Sequence, residues 1–480
     1  MIRPNVVINY IGKIIIIIGI AMLSSFFWAV YYGEDIIWKM LIASGITIFF
    51  GLLMSLIGGS NHELNYREGF AVVTLGWVTA SFFGTLPFML SGHFVSFADA
   101  FFETVSGFTT TGATILTNIE ALPKSLLFWR SLTQWLGGMG IMALFLAVIS
   151  GIGSRANQVF RAEVPGPVSD KISPRVKETA RILWLTYVIL SIILLILLYV
   201  LGMNLFDSFC HTFSTMATGG FSTKNDSIAY YNSLIQWTII IFMFIAGTNF
   251  SLHYLAYKNH SLKSYFKNRE FILYSLIIIV GSGLALLGLN EIPVLEEKLR
   301  TSLFQIISIL TTTGYATADY TKWAPVGQGI ILVLMFIGGC AGSTAGGMKV
   351  GRYLIMLGRV KIEIKKMIHP KALIPVRFGD RILSDGLVIN VLQFFFIYIF
   401  LIIIGIVIMS ILGLDILSSF AAVVSCIGNV GPGFGSVGPT QNYAFVPDAG
   451  KYVLSVLMLL GRLEIYPILV LLFVEYWKKQ

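Results

Sequence analysis

The chain has 480 residues, 56% hydrophobic and 12% charged, with a mean hydropathy of +0.82 and a formal net charge of +9. Soluble domains are about one-quarter charged, so this composition excludes a soluble globular protein and defines a membrane protein. Three cysteines and six histidines share no metal-ligand spacing, and P-loop, G-x-S-x-G and H-E-x-x-H patterns are absent, so neither a disulfide framework nor an enzyme's site is indicated.

Apolar runs near the roughly 20 residues that cross a bilayer occur at 12–32, 38–58, 70–91, 125–150, 181–203, 233–256, 271–290, 327–357, 385–413 and 451–476, giving ten predicted spans. The first follows Arg3 and Lys13 as a signal peptide would. Its apolar run continues into "SSFFWAVYYG" without a small-residue cleavage site, and it reads as a retained helix. Lysine and arginine gather in the loops 151–181, 258–269 and 359–381 and in the tail at Lys478 and Lys479. The positive-inside rule makes these loops, and so both termini, cytoplasmic. Because the basic loops occur only beside spans, they read as a topology signal rather than a nucleic-acid surface.

A polar sequence recurs between the spans. "DAFFETVSGFTTTG" (99–112), "DSFCHTFSTMATGG" (207–220), "TSLFQIISILTTTG" (301–314) and "SSFAAVVSCIGNVG" (418–431) align in one register. Each opens on a residue of helix N-cap type (Asp99, Asp207, Thr301, Ser418). Each carries serine in one column (Ser106, Ser214, Ser308, Ser425) and closes on glycine (Gly112, Gly220, Gly314, Gly431). A span precedes each copy and another follows, with "WLGG", "FIAG", "FIGG" and "LLGR" at similar depth in the following spans. The repeat unit is therefore helix, half-helix, loop, helix. About ten residues of helix rise roughly 15 Å, half the hydrocarbon thickness, so each short segment must dip in and return.

Non-helical backbone at that depth is tolerated where protein surrounds it or water fills a cavity. Four such loops satisfy this by converging on one axis, where facing carbonyls can replace a cation's hydration shell. The negative ends of the half-helix dipoles favour a positive ion there. Glycine reaches the conformations that turn successive carbonyls to one side, and threonine stiffens the neighbouring turn. The expected ion-lining residues are Thr110, Thr111 and Gly112; Thr218, Gly219 and Gly220; Thr312, Thr313 and Gly314; and Asn429, Val430 and Gly431. The serine column is expected to brace loop backbone, and the column Glu103, His211, Gln305 and Ala422 to hydrogen-bond behind it.

At these residues the chain resembles the TrkH/KtrB/HKT superfamily of potassium transporters from about residue 65 onward, and the helix pair at 12–58 resembles the extra N-terminal domain of its TrkH branch. The resemblance implies an all-α polytopic fold with four helix–pore loop–helix repeats about a pseudo-fourfold pore. The expected division is 1–64, then repeats at 65–160, 161–262, 263–370 and 371–480. In the superfamily the glycine closing each loop is the selectivity residue. Members with serine in the first loop tend to carry sodium, and Gly112 here implies potassium, with selectivity weakened because the second and fourth loops depart from TTTG. The resemblance further implies a homodimer in the bacterial cytoplasmic membrane, a separate TrkA-like cytoplasmic ring that binds nucleotide, and no organic cofactor. The loops 151–181 and 359–381 are the expected docking surfaces.

Two features bear on gating. "GGCAGSTAGGMKVGR" (338–352) puts Gly338, Gly339, Gly342, Gly346 and Gly347, with Ser343 and Thr344, inside the predicted span 327–357. Each glycine costs a helix up to about 1 kcal/mol relative to alanine, so a broken helix is expected, and the resemblance makes it a loop obstructing the pore. Arg462 lies deep in an apolar span and should face a cavity or pair with a carboxylate. Glu464, two residues on, is on another helix face. The resemblance assigns Arg462 to the pore as a positive barrier, while Lys349 reads as a helix-end residue snorkelling to the cytoplasm. The alternatives are a symporter coupled to sodium or protons and, in other classes, a polytopic membrane enzyme or a scaffold. An enzyme would need clustered acids, bases or nucleophiles at one depth, and a scaffold would not need fourfold register.

Overall fold

The structure, a computed structural model, describes residues 2–58, 64–140, 176–289, 292–372, 374–378 and 381–478. Most of the basic loop 151–181, the far end of the predicted span 125–150 and Lys479 lie outside the described residues. In lipid a backbone must satisfy its own hydrogen bonds, which long apolar segments do as helices. Among the described residues six continuous helices are long and apolar enough to cross a membrane: Pro4–Tyr32, Ile37–Ile57, Arg67–Ser91, Ala180–Val200, Arg269–Gly288 and Asp385–Ile411.

The other four predicted spans are interrupted, although one interruption was expected. They are the second helices of the four repeats, and each breaks within a few residues of the aligned glycine motif. Lys124–Trp135 runs into a wide turn, Leu136–Gly140, where Gly138 leaves helical geometry at ψ −109°. Ser233–Ala246 and Phe250–Lys258 meet at 94°, and Asp448–Arg462 and Tyr466–Leu472 at 113°. Between Pro325–Leu334 and Val350–Ile368, residues 335–349 form a non-helical loop. Apolar composition carried the prediction of full spans, and it is blind to where a backbone bends.

The re-entrant helices are Phe97–Phe108, Leu205–Met216, Leu295–Leu310 and Ile416–Gly428. The N-cap column expected from sequence is displaced by one turn. In three copies a side chain three residues earlier caps the helix: Ser96 accepts from the amide of Asp99 at 3.1 Å, Asn204 from Asp207 at 2.8 Å, and Asp415 from Ser418 at 3.0 Å. The third helix starts further back, at Leu295, without a side-chain cap. Asp99 and Asp207 thus stand in the first turn, where a carboxylate suits the helix dipole. Hydrogen bonds from Ser418 hold the Asp415 carboxyl below the usual carboxylate range.

Outside the repeats, Pro4–Tyr32 and Ile37–Ile57 form a close antiparallel pair, in which a Cβ on Gly12 would lie 2.7 Å from the carbonyl oxygen of Gly51. Small residues allow such approach. The pair is fastened to the first repeat at both ends, by Arg3 to Glu68 at 2.8 Å and by Glu34, which accepts from the Ser125 amide at 3.2 Å. A two-residue ladder, Arg377–Phe378 with Arg381–Ile382, follows the third repeat.

Candidate ion pathway

All four re-entrant helices end alike. Thr110, Thr218, Thr312 and Asn429 adopt left-handed backbone at φ 53°, 54°, 55° and 53°. The next amide in each copy bonds back to the serine column: Thr111 to Ser106 at 2.9 Å, Gly219 to Ser214 at 2.8 Å, Thr313 to Ser308 at 2.8 Å and Val430 to Ser425 at 2.9 Å. This is the Schellman closure of a helix, in which glycine usually takes the left-handed position. Three β-branched threonines hold it here at about 1–3 kcal/mol of strain each. The closing glycines follow with φ of 79°, 76°, 79° and 101°.

These glycines meet in a ring. A Cβ on Gly431 would lie 2.6 Å from the carbonyl oxygen of Thr111, and Cβ positions on Gly112, Gly220 and Gly314 lie closer still to the carbonyls of Gly219, Thr313 and Val430. Each copy therefore abuts the next in chain order, and the fourth abuts the first. One side of the ring opens into a cavity of about 460 Å³ lined by all four glycines, with Arg130, Lys224, Asp226 and Asp319 on its wall. Among the described residues no three His, Cys, Asp or Glu side chains converge on a common point. The oxygens that the closing glycines abut are those of the backbone.

Behind the ring, the expected polar column braces the returning chain. Glu103 accepts from Thr114 at 2.9 Å and from the Ile115 amide at 3.0 Å; His211 meets Ser222 at 3.1 Å; Gln305 donates to the Ala318 carbonyl at 3.1 Å. In the fourth copy, where the column holds Ala422, Tyr443 donates to the Gly431 carbonyl at 2.8 Å instead. Of the serine hydroxyls, Ser308 and Ser425 brace the carbonyls of Tyr315 and Gly431 at 2.7 and 2.6 Å, whereas that of Ser106 is buried without a partner. Two braces went unread in the sequence. Arg130 donates to Glu103 at 2.5 Å and to the Ser222 carbonyl at 3.0 Å, and Gln134 donates to the Gly219 carbonyl at 2.5 Å while accepting from Phe221 at 3.1 Å. Their signal was present, since both are polar residues inside an apolar span. Gln134 thus engages a carbonyl of the second loop, as Ser425 and Tyr443 engage that of Gly431 in the fourth.

The glycine-rich loop lies against the C-terminal ends of the re-entrant helices, where they pass into the ring. The Gly346 amide donates to Thr312 Oγ1 at 2.6 Å, and a Cβ on Gly346 would lie 2.7 Å from the carbonyl of Gly428. Thr344 donates to the carbonyls of Met216 and Ala246 at 3.0 and 3.1 Å. Gly338 bonds back to Met348 at 2.8 Å, and Ser343 caps Cys340 at 2.6 Å. A Cβ on Gly339 would lie 2.7 Å from the Gly247 carbonyl, and Gly342 and Gly347 turn the chain at φ 72° and 62°.

Arg462 is buried with 6% of its surface exposed. Its partners are carbonyls rather than a carboxylate: Thr344 at 2.8 Å, Gly137 at 2.6 Å and Gly138 at 3.1 Å. Glu464 pairs instead with Arg352, at the start of the helix that leaves the loop. Lys349 does not snorkel. It is 2% exposed and donates to the Ala345 carbonyl, because the loop folds back over it before Val350–Ile368 begins.

Four re-entrant hairpins about one axis, each supplying a glycine and a carbonyl to a closed ring, define a polytopic cation-pathway protein. The chain belongs to the TrkH family of cation transport proteins, whose family model matches residues 39–278 and 287–479. It is 36% identical over 484 residues to the Trk system potassium uptake protein TrkH of Halomonas elongata, covering 99% of both chains. To the TrkH of Salmonella typhimurium it is 39% identical over 87% of each chain, and to the potassium uptake protein TrkG of Escherichia coli 34% over 99% of each. The crystal structure of the potassium transporter TrkH from Vibrio parahaemolyticus superposes with a TM-score of 0.89 at 34% identity, over 99% of this chain and 100% of that one. Membership makes the chain a multi-span cation transporter and not an enzyme.

Proposed function

We propose that the chain takes up potassium through the four-loop ring. The observation that carries this reading is the cyclic contact of each closing glycine with the next loop's carbonyl, because it gathers a main-chain oxygen from every loop into one closed cycle. The ion sheds water in the cavity above the ring and is held by the oxygens of residues 110–112, 218–220, 312–314 and 429–431. It then passes the glycine-rich loop and Arg462, which act as a gate below the filter. An inside-negative potential contributes about 2.3 kcal/mol per charge per 100 mV. The names of the relatives, potassium uptake proteins and a potassium transporter, support potassium as the ion.

The same reading gives a homodimer in the bacterial inner membrane with both termini inside and the domain division set out above. A cytoplasmic nucleotide-binding ring docks on the basic loops, and no organic cofactor takes part. Flux into liposomes with potassium, rubidium or sodium as the sole permeant cation tests it. Potassium and rubidium should enter and sodium should lag, whereas equal entry of all three would overturn the filter. A reversal potential that follows the potassium gradient alone favours a channel. One that moves with sodium or pH establishes a coupled symporter.

A further inference from the structure

The fourth loop differs from the others where the ring closes on itself. Copies one to three follow one another along the chain, but copy four meets copy one across 318 residues of sequence between Asn429 and Thr111. At this seam Asn429 Nδ2 reaches Thr111 Oγ1 at 3.0 Å and the Met458 carbonyl at 2.9 Å. Thr111 Oγ1 also meets Thr109 Oγ1 at 2.8 Å, and the Thr111 carbonyl is the one packed on Gly431. In the equivalent left-handed position, Thr218 turns its hydroxyl to the adjacent Ala217 carbonyl, and Thr312 accepts from Gly346. A threonine is too short to cross to the next loop, and an amide is long enough. Asparagine also adopts left-handed backbone at lower cost than threonine.

We propose that Asn429 is a specificity-determining positioning residue: its amide nitrogen ties the fourth loop to the first through Thr111, and so fixes the spacing of ring oxygens at the seam that discriminates potassium from sodium. This rests on the filter reading above. The amide oxygen is not the working atom. It is buried without a partner, beside Gly346 and Gly461 on the loop side of the ring.

The test is the rubidium-to-sodium flux ratio of purified full-length protein in liposomes, with size-exclusion elution and thermal unfolding confirming that each variant is folded. Thr111→Val is nearly isosteric and removes the acceptor. Asn429→Gly removes the amide but keeps left-handed backbone, and Asn429→Asp keeps the shape and oxygen but loses the donor. Each should lower the ratio roughly tenfold, the order of one polar contact. The double variant Thr111→Val with Asn429→Gly should fall no further than either alone. Thr313→Val, which loses the matching Thr311–Thr313 pair at 2.7 Å, should lower the ratio several-fold less than Thr111→Val. Retained discrimination in Asn429→Asp would overturn the proposal in favour of an oxygen ligand. Multiplicative loss in the double variant, or equal loss in Thr313→Val and Thr111→Val, would also overturn it. If Gly112→Ser shifts the ratio while the Asn429 variants do not, the brace fails and the filter stands; if Gly112→Ser shifts nothing, both fail.

Discussion

Arg462, in the last repeat, donates to the carbonyl of Thr344 in the glycine-rich loop of the third repeat at 2.8 Å, across 118 residues of sequence. The same guanidinium holds Gly137 and Gly138 of the first repeat. One side chain therefore fastens the loop to two other repeats while placing a positive charge beneath the ring. Arg462→Ala removes both the charge and the tether, and rubidium uptake into liposomes should rise severalfold. Arg462→Lys keeps the charge but lacks the planar fork that reaches separated carbonyls, so its uptake should lie between the two. Reduced uptake in a folded Arg462→Ala protein would contradict the gate.

The ring glycines allow a graded test. Gly112→Ser places a side chain against the Gly219 carbonyl at positive φ, and it should raise sodium flux relative to rubidium. Gly220→Ala and Gly314→Ala meet the backbone of Thr313 and Val430, which cannot swing aside as a side chain would. Rubidium flux should fall at least tenfold in each. Wild-type flux in either alanine variant would mean that the ring is not the path.

The Glu103–Arg130 pair is almost wholly buried, at side-chain exposures of 0% and 2%, and Arg130 lies 3.6 Å over the Phe221 ring. Removing one partner strands a buried charge, which costs about 3–5 kcal/mol, whereas neutralising both with similar volume is often tolerated. Arg130→Met should therefore destabilise strongly in thermal unfolding in detergent. Glu103→Gln combined with Arg130→Met should recover much of the loss. The glutamine can still receive Thr114 and Ile115, so the double variant should also recover rubidium flux.

What the sequence revealed here follows from what repeats. The serine column and closing glycines recur at fixed spacing because each copy makes the same helix closure, so aligning them located the ring. The contacts that hold the copies together do not recur. Arg130 and Gln134 brace the seam between the first and second copies and Asn429 that between the fourth and first, with partners 92, 85 and 318 residues away, while Tyr443 braces a carbonyl of its own copy 12 residues away. The breaks in the second helices were written in "WLGG", "FIAG" and "LLGR". A glycine in an apolar run is as consistent with close packing as with a bend, and what decides is the crowding beneath the pore helices. There a Cβ on Gly137 or Gly461 would strike the carbonyls of Phe108 or Ile427. Lys349 was misread for a related reason, since a lysine beside a helix end does not show in sequence that the loop covers that end.

Gly346 offers the sharpest test of whether the loop obstructs the path. It is pressed between the end of the fourth pore helix and the third loop: its amide is bonded to Thr312, and a Cβ would lie 2.7 Å from both the Gly428 carbonyl and Asn429 Cβ. The pore helix is backbone fixed by its own hydrogen bonds, whereas residues 335–349 have no helix to hold them. The softer partner must give way. Gly346→Ala should therefore push the loop from its seat and raise rubidium flux with little change in the rubidium-to-sodium ratio, because the ring carbonyls are not displaced. If Arg462 acts mainly by holding the same loop, adding Arg462→Ala to Gly346→Ala should raise flux by less than the product of the two separate effects. Full multiplication would show that the arginine works by charge alone, independently of the loop.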